Sequence, residues 1–361
     1  MAIHRVKSRV ATIGPRLFLG PALAWTLLSL FNHSPLAAPL AAWPDTGFAR
    51  GLVYSSWDGS YRHQEAWSRH LDQFESMGVT WLEVMTFAHQ PKVDGPKIKP
   101  SPEERWPREF IRAARRRGVK ILLKPHVWSR QFYDGSNRWR GSIKMRSEDD
   151  WAEWFRQYEA FILREAKLAE SFGVEMLSIG LEYVEATKRP AHWRRLISKI
   201  RQVYSGSLTY AADGNHELGH ITFWDHLDVI GVDAYFALSG PYSLFGGGLL
   251  LSWVEHMVAM ETLATRYRKP IIFTEAGYPS TENATLTPWR WPKGDETVAL
   301  EEQALAYEAL LMTLTTRPWF QGVFWWKWYE RQERGVSHSH DYSPRGKPAE
   351  AVLKRWYRGQ R

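Results

Sequence analysis

Between Gly51 and Trp328 the chain alternates short apolar runs with amphipathic stretches, and no other feature narrows its fold as much. Eight runs have the length and flanks of buried strands: Gly51–Trp57, Thr80–Phe87, Val119–Trp128, Val174–Glu182, Leu208–Asp213, Leu227–Phe236, Pro270–Tyr278 and Gly322–Trp328. Helical patterns separate most of them. Trp67, Leu71, Phe74 and Met77 recur at helical spacing after the first run. Ser101-Pro102-Glu103-Glu104 reads as a capping box with proline at the first helical position. Trp151, Trp154, Phe155, Tyr158, Phe161 and Ile162 mark one face of a long helix. Trp193, Leu196, Ile197, Ile200 and Val203 mark the next. Further helices are expected after Leu251 and from Val298 to Thr315, whereas Gly214–Asp225 is too short for a full one. Eight strands alternating with helices predict an α/β fold, a single parallel (β/α)₈ TIM barrel, with a doubly wound open sheet as the alternative. No Gly-x-Gly-x-x-Gly or Walker motif follows any run, which weakens nucleotide-binding versions of that alternative. Gly246-Gly247-Gly248 reads as loop.

Composition removes several classes. The 361 residues are 44% hydrophobic and 24% charged, which excludes disordered, collagen-like and polytopic membrane chains. Cysteine is absent, so disulfides, thiolate metal sites and cysteine nucleophiles are excluded. No Gly-x-Ser-x-Gly motif points to a serine hydrolase. The 20 Trp residues imply either a large core or flat apolar faces that stack on ligands. Of the net charge of +8, Arg5, Lys7, Arg9 and Arg16 supply four, ahead of the first acid at Asp45. The other cations are scattered, apart from Arg115-Arg116-Arg117 at an expected helix C-terminus, so no nucleic-acid partner is expected. Leu17–Phe31 is a mostly apolar stretch behind that basic segment, followed by small residues up to Ala42. This order matches a secretory signal peptide. Leu40 fits the cleavage site imperfectly, which leaves a signal anchor in the inner membrane through residues 17–31, or a buried N-terminal helix, as alternatives. The expected organisation is an export segment over 1–42 and a barrel over 43–361, placed in the periplasm or outside the cell.

A barrel of this kind carries its active site at the C-terminal ends of its strands. The fourth run ends Ser178-Ile179-Gly180-Leu181-Glu182, and the seventh ends Phe273-Thr274-Glu275-Ala276-Gly277-Tyr278. Each sets a carboxylate directly after a buried run, a costly placement unless it is paired or functional. Two such carboxylates facing one bond are what glycoside hydrolysis needs. Alternation puts Lys124, His126 and Trp128 on one face of the third run, and Asp233 and Tyr235 on one face of the sixth. In the eighth, Trp326 and Trp328 alternate with Trp325 and Lys327. Trp325 is expected in the core. His126 is read either as a core histidine or as a ligand for sugar hydroxyls. Lys124 either meets substrate or neutralises a buried Glu83. His338-Ser339-His340-Asp341 has no third ligand of known geometry and reads as a solvated loop that touches substrate. No metal or other cofactor is expected.

These stretches, taken in order, resemble a known family. Leu123-Lys124-Pro125-His126-Val127-Trp128, Trp139-Arg140-Gly141, Ser178–Glu182, Phe223–Tyr235, Phe273–Tyr278, Trp326-Lys327-Trp328 and Gly346–Glu350 match glycoside hydrolase family 113 as a set. This is a clan A group of retaining β-glycosidases known for β-1,4-mannanases, and the resemblance spans residues 50–357. It implies Glu182 as acid/base and Glu275 as nucleophile, with carboxyls about 5–5.5 Å apart. It further implies that Tyr235 bonds the nucleophile and that Trp326 stacks under the sugar at the reacting subsite. Asp213, Lys327 and Trp328 are expected to bind substrate too, with Trp57, Trp139, Tyr183 and Tyr278 lining outer subsites. The chain departs from the pattern at two places. Leu181 stands where the clan commonly has Asn, and Asp213-Gly214 replaces an Asn-Trp pair. Both bear on substrate specificity. The expected activity is a retaining β-glycosidase of the endo-β-1,4-mannanase type acting on a polysaccharide or oligosaccharide. The alternatives are a hydrolase or transglycosylase of another exported β-glycan, and a non-catalytic glycan-binding barrel.

Overall fold

The strand ladders close on themselves. In the computed structural model, residues 47–55, 64–101, 105–238, 248–329 and 337–359 are described. The export segment, Trp57, Pro102–Glu104 of the capping box and Gly246-Gly247 lie outside them. The strands are β1 (Ala49–Ser55), β2 (Trp81–His89), β3 (Lys99–Pro100), β4 (Lys120–Trp128), β5 (Met176–Leu181), β6 (Ser207–Asp213), β7 (Ile230–Asp233), β8 (Ile271–Ala276) and β9 (Phe320–Tyr329). The helices between and after them are α1 (Gln64–Met77), α2 (Arg105–Arg116), α3 (Glu148–Ser171), α4 (Pro190–Ile200), α5 (Gly248–Tyr267), α6 (Leu300–Leu314) and α7 (Pro348–Gly359). Apart from β3, the strands pair in parallel in the order β1-β2-β4-β5-β6-β7-β8-β9, and β9 returns to β1. The chain is therefore a (β/α)₈ barrel. All eight expected strands are present, and only a short 3₁₀ turn, Trp224–His226, occupies the connection judged too short for a helix.

Two elements add to the expected set. β3 pairs antiparallel with the end of β2. α7 carries its apolar residues Ala349, Val352, Leu353 and Tyr357 among basic ones, and it docks on β1. There Tyr357 donates to the Gly51 carbonyl at 3.2 Å and accepts from Arg50 Nη1 at its own carbonyl at 2.7 Å. Gly248 opens α5 rather than belonging to a loop.

Burial on both faces explains why the strands read as near-continuous apolar runs. The outer faces meet the helices. α3 shows how: Ser147 caps it by accepting from the Asp150 amide at 3.1 Å, Glu148, Asp149 and Asp150 complement the dipole, and the expected aromatic stripe is buried. Inside the barrel, Val53, Trp81, Leu122, Met176, Ile272 and Phe324 form a separate apolar core. Going up β4, Leu122 is followed on that same inner face by Lys124, His126 and Trp128, while Ile121, Leu123 and Val127 face the helices. The barrel thus turns from apolar to ionic towards the strands' C-terminal ends.

Candidate active site

A cleft of about 1270 Å³ opens at that end. Glu182, from the residue after β5, and Glu275, from β8, both line it. Tyr235, Trp326, His126, Trp128, Asp213 and Lys327 share the lining, as does Trp139. Gly277 allows the end of β8 to close on β9: a Cβ there would lie 2.4 Å from the Trp326 carbonyl oxygen.

Glu275 is held at both oxygens. Lys124 Nζ donates to Oε1 at 2.6 Å, and Tyr235 Oη donates to Oε2 at 2.8 Å. Such two-sided bonding, charge-assisted from Lys124, fixes the position of the carboxyl group. Lys124 lies beneath the cleft floor, fully buried. It also donates to Asp233 Oδ1 at 2.9 Å and sits 3.6 Å from Glu83 Oε1. Of the two sequence readings of Lys124, the pairing with Glu83 fits, whereas its burial below the floor keeps it out of the cleft lining, where it supports Glu275 instead of meeting substrate. Burial alone would lower the Lys124 pKa, but Asp233, Glu275 and Glu83 outweigh it and the ammonium is strengthened. The converse holds for Glu83 and Asp233. Burial raises both well above ordinary carboxyl values, with Lys124 opposing and neighbouring acids adding to the rise. Asp233 therefore belongs to this ionic layer rather than to the cleft wall, with Thr274 Oγ1 as a second donor at 2.8 Å.

Glu182 is placed by its backbone. Its φ of +51° lies in the left-handed region, uncommon for a residue with a Cβ, and its amide bonds the Ala211 carbonyl at 2.9 Å. Arg140 Nε donates to Glu182 Oε2 at 3.0 Å. Burial raises the Glu182 pKa, Arg140 pulls it back, and Glu275 and Asp213 push it up again. A carboxyl with a raised pKa beside one clamped in place by Lys124 and Tyr235 can divide the roles of proton donor and nucleophile. His126 is buried at the rim. Burial and nearby cations hold its pKa well below the usual range, so the ring is neutral, and Nε2 has no hydrogen-bond partner among the described residues. It is thereby available to a hydroxyl. Glu83, His126 and Glu275 offer ligand atoms within 4.8 Å of one another, yet the Lys124 ammonium already supplies the positive charge among them.

Several expected residues lie elsewhere. Trp328 is buried under α1, where its Nε1 donates to His70 Nδ1 at 3.2 Å and its ring meets Phe74 edge-on at 5.2 Å. The cause is a bulge. Between the pairs Leu52–Trp325 and Tyr54–Trp328, β9 uses three residues against two of β1, which inverts the alternation, so Lys327 and Tyr329 face the cleft with Trp326. Trp325 packs outward on Tyr307, as expected of a core residue. Tyr278 turns away from the cleft onto Tyr307, with ring centroids 6.4 Å apart. Tyr183 stands behind the wall and accepts from the Val127 amide at 3.1 Å. The His338–Asp341 segment is a partly exposed turn, as expected, but it lies outside the cleft lining and its side chains are tied into the fold. Asp341 is fully buried and bonds Lys347 Nζ at 2.8 Å, His338 reaches the Arg345 carbonyl at 2.6 Å, and His340 the Glu296 carbonyl at 3.0 Å.

The cleft also holds residues to which no role was given. Arg140 lies in the stretch Trp139-Arg140-Gly141. Asn215 and His216 follow Asp213, whose Oδ1 takes the His216 ring Nδ1 at 2.8 Å. Trp289 and Trp291 lie in Thr287-Pro288-Trp289-Arg290-Trp291-Pro292, where aromatics interleaved with turn residues are themselves a signal of exposed rings.

Two carboxyls in an aromatic cleft at the C-terminal mouth of a parallel barrel define a class, the glycoside hydrolases. Within it, the chain belongs to Glycoside Hydrolase Family 113, whose model matches residues 52–347. Among solved structures it is similar to a GH113 β-1,4-mannanase in a complex, at 28% identity and TM-score 0.75 over 87% of this chain and 100% of that one. The GH113 β-mannanase AaManA from Alicyclobacillus acidocaldarius, in complex with ManMIm, matches equally well over 98% of its chain, again at 28% identity and TM-score 0.75. A β-glucuronidase from Ruminococcus gnavus shares only the fold, at 12% identity and TM-score 0.60 over 86% of this chain and 50% of its own. Comparison with curated protein sequences gave no match. The protein is a glycoside hydrolase and acts on a polysaccharide or oligosaccharide.

Proposed function

We propose that the chain is a retaining β-glycosidase of the endo-β-1,4-mannanase type. The clamping of Glu275 by Lys124 and Tyr235, across the cleft from a Glu182 with raised pKa, carries this reading. Glu275 attacks the anomeric carbon while the bond to the departing sugar breaks, and Glu182 gives its proton to the leaving oxygen. This forms a glycosyl ester on Glu275. Glu182, now a carboxylate, takes a proton from water as the water oxygen attacks the same carbon. The ester then opens and Glu275 leaves as the anion, so configuration is retained and one water is consumed. Trp326 offers its face to the reacting sugar, and His126 and Asp213 meet hydroxyls at the rim. The mannan preference rests on the GH113 mannanases to which the chain is similar.

The test is a product panel on β-mannan, glucomannan, β-glucan, xylan and chitosan, run with Glu182→Gln and Glu275→Gln. The expected result is cleavage of mannan, reduced about 10³-fold or more in both variants on unactivated substrate. Cleavage surviving Glu275→Gln overturns the nucleophile assignment. Cleavage of another glycan alone favours the second reading, another β-glycan, which Leu181 and Asp213 motivate. We also propose export through residues 1–42, tested by fractionating cells expressing the full chain. A protein found in the cytoplasm overturns it.

A further inference from the structure

Three aromatic rings among the described residues are more than a third exposed: Tyr133 at 72%, Trp289 at 52% and Trp291 at 41%. Isolated exposed apolar side chains are ordinary, but here all three line the same cleft as Glu182 and Glu275. They arrive from opposite sides. Tyr133 ends a 3₁₀ turn, Arg130–Tyr133, that follows β4. Trp289 and Trp291 lie in the segment after β8. In the closed ring, β4 is the third strand and β8 the seventh, so the two groups face each other across the mouth. Both are pre-organised. Tyr133 stacks on Trp128 at 5.4 Å and 26°, and the Trp128 Nε1 is buried with no hydrogen-bond partner among the described residues. On the other side, Tyr342 Oη donates to the Pro288 and Arg290 carbonyls at 2.6 and 3.1 Å, which pins the segment bearing the two Trp residues. Ordered rings held open to water suit the apolar C–H faces of sugars, because little freedom is lost on binding.

We propose that Tyr133 and the Trp289–Trp291 segment are stacking platforms for outer sugar rings on opposite sides of the bond that is cut. A β-linked polysaccharide then lies across the cleft from one to the other, and the enzyme cuts within the chain. This rests on the reading of Glu182 and Glu275 as the reacting pair, and the experiment separates the two claims. Binding is measured by affinity electrophoresis in the Glu275→Gln background against the same five polysaccharides. Adding Tyr133→Ala or Trp289→Ala is expected to weaken retardation about three- to tenfold each, from the usual worth of one aromatic contact. Retardation unchanged in both variants, or absent for all five polysaccharides, overturns the proposal. The second measurement is the cleavage position in a hexasaccharide of the retarded glycan, labelled at its reducing end, using enzyme with both Glu residues intact. Loss of one platform moves the cut towards one end, and loss of the other moves it towards the opposite end. Movement in the same direction, or none, also overturns the proposal. A hexasaccharide bound in a ring-dependent way but never cut leaves the platforms standing and removes the reacting pair. One that is cut with no ring dependence does the reverse.

Discussion

Arg140 sets the working range of Glu182 in the proposed mechanism. Its guanidinium stabilises the Glu182 carboxylate, opposing the effect of burial. In Arg140→Gln that stabilisation is lost, so the carboxyl holds its proton to higher pH. The basic limb of kcat/KM is therefore expected to move to higher pH. An unmoved limb, with activity merely reduced, means that Arg140 only shapes the loop. Beneath the cleft, Lys124 is a single cation among Glu83, Asp233 and Glu275. Lys124→Met leaves buried acids without a cation, and a loss of about 3–5 kcal/mol in urea unfolding is expected. Glu83→Gln should act oppositely. Lys124 Nζ stands 3.6 Å from Glu83 Oε1, and burial raises the Glu83 pKa well above the value of about 4.3 in an unfolded chain. The folded state thus binds more protons than the unfolded one, and stability falls as pH rises from that value towards the raised folded one. Glu83→Gln removes this fall. Unfolding midpoints measured across that range are expected to decline less steeply than in the parent protein, and parallel curves would show that Glu83 is ionised at no cost.

At the scale of elements, the last strand separates what could be read from the sequence from what could not. The eight strands were legible because strands buried on both faces are near-continuous apolar runs, and α1, α3, α4 and α6 because each buries one helical stripe. Glu182 and Glu275 were legible because a carboxylate directly after a buried run stands out. Alternation also placed Lys124 and His126 on the inner face. It gave no partner, however, since Lys124 finds Asp233 and Glu275 at sequence separations of 109 and 151 residues. Alternation failed in β9, where the bulge turns Trp328 outward and Lys327 inward. No residue between Trp325 and Trp328 marks that bulge, since all four suit either face. Trp328→Phe is accordingly a change in the helix-facing core. It removes the indole donor to His70 and part of a buried ring, so a loss of about 1–3 kcal/mol is expected in denaturation. Its kcat/KM on the glycan that the parent cleaves should match the parent's, and a selective loss of kcat/KM without loss of stability would return Trp328 to the cleft.

Across the whole molecule, the barrel holds the ends of β5 and β8 in place only while its ring is closed, and the closing ladder is β1 against β9. Two features outside the ring guard that closure. Lys347 Nζ gathers Asp341 Oδ1 at 2.8 Å, the Asp341 carbonyl at 2.9 Å and Ser280 Oγ at 2.9 Å, tying the segments after β8 and β9 together. α7 then covers the outside of β1. Its Leu353 and Tyr357 are buried, and Arg50 reaches back to the Tyr357 carbonyl. Removing residues 348–361 keeps the lysine clamp but uncovers β1 and strips the apolar faces of Val352, Leu353 and Tyr357. At about 1.5–3 kcal/mol for each large side chain, this loss is comparable with the whole stability of a typical domain, about 5–15 kcal/mol. The truncated protein is expected to lose cooperative thermal unfolding and to bind a hydrophobic dye at room temperature. Lys347→Met instead is expected to lower the melting temperature while unfolding stays cooperative, because it strands the Asp341 carboxylate but leaves β1 covered. If the truncated chain melts cooperatively near the parent's temperature, β1–β9 pairing closes the barrel without α7, and the helix is an accessory to the fold.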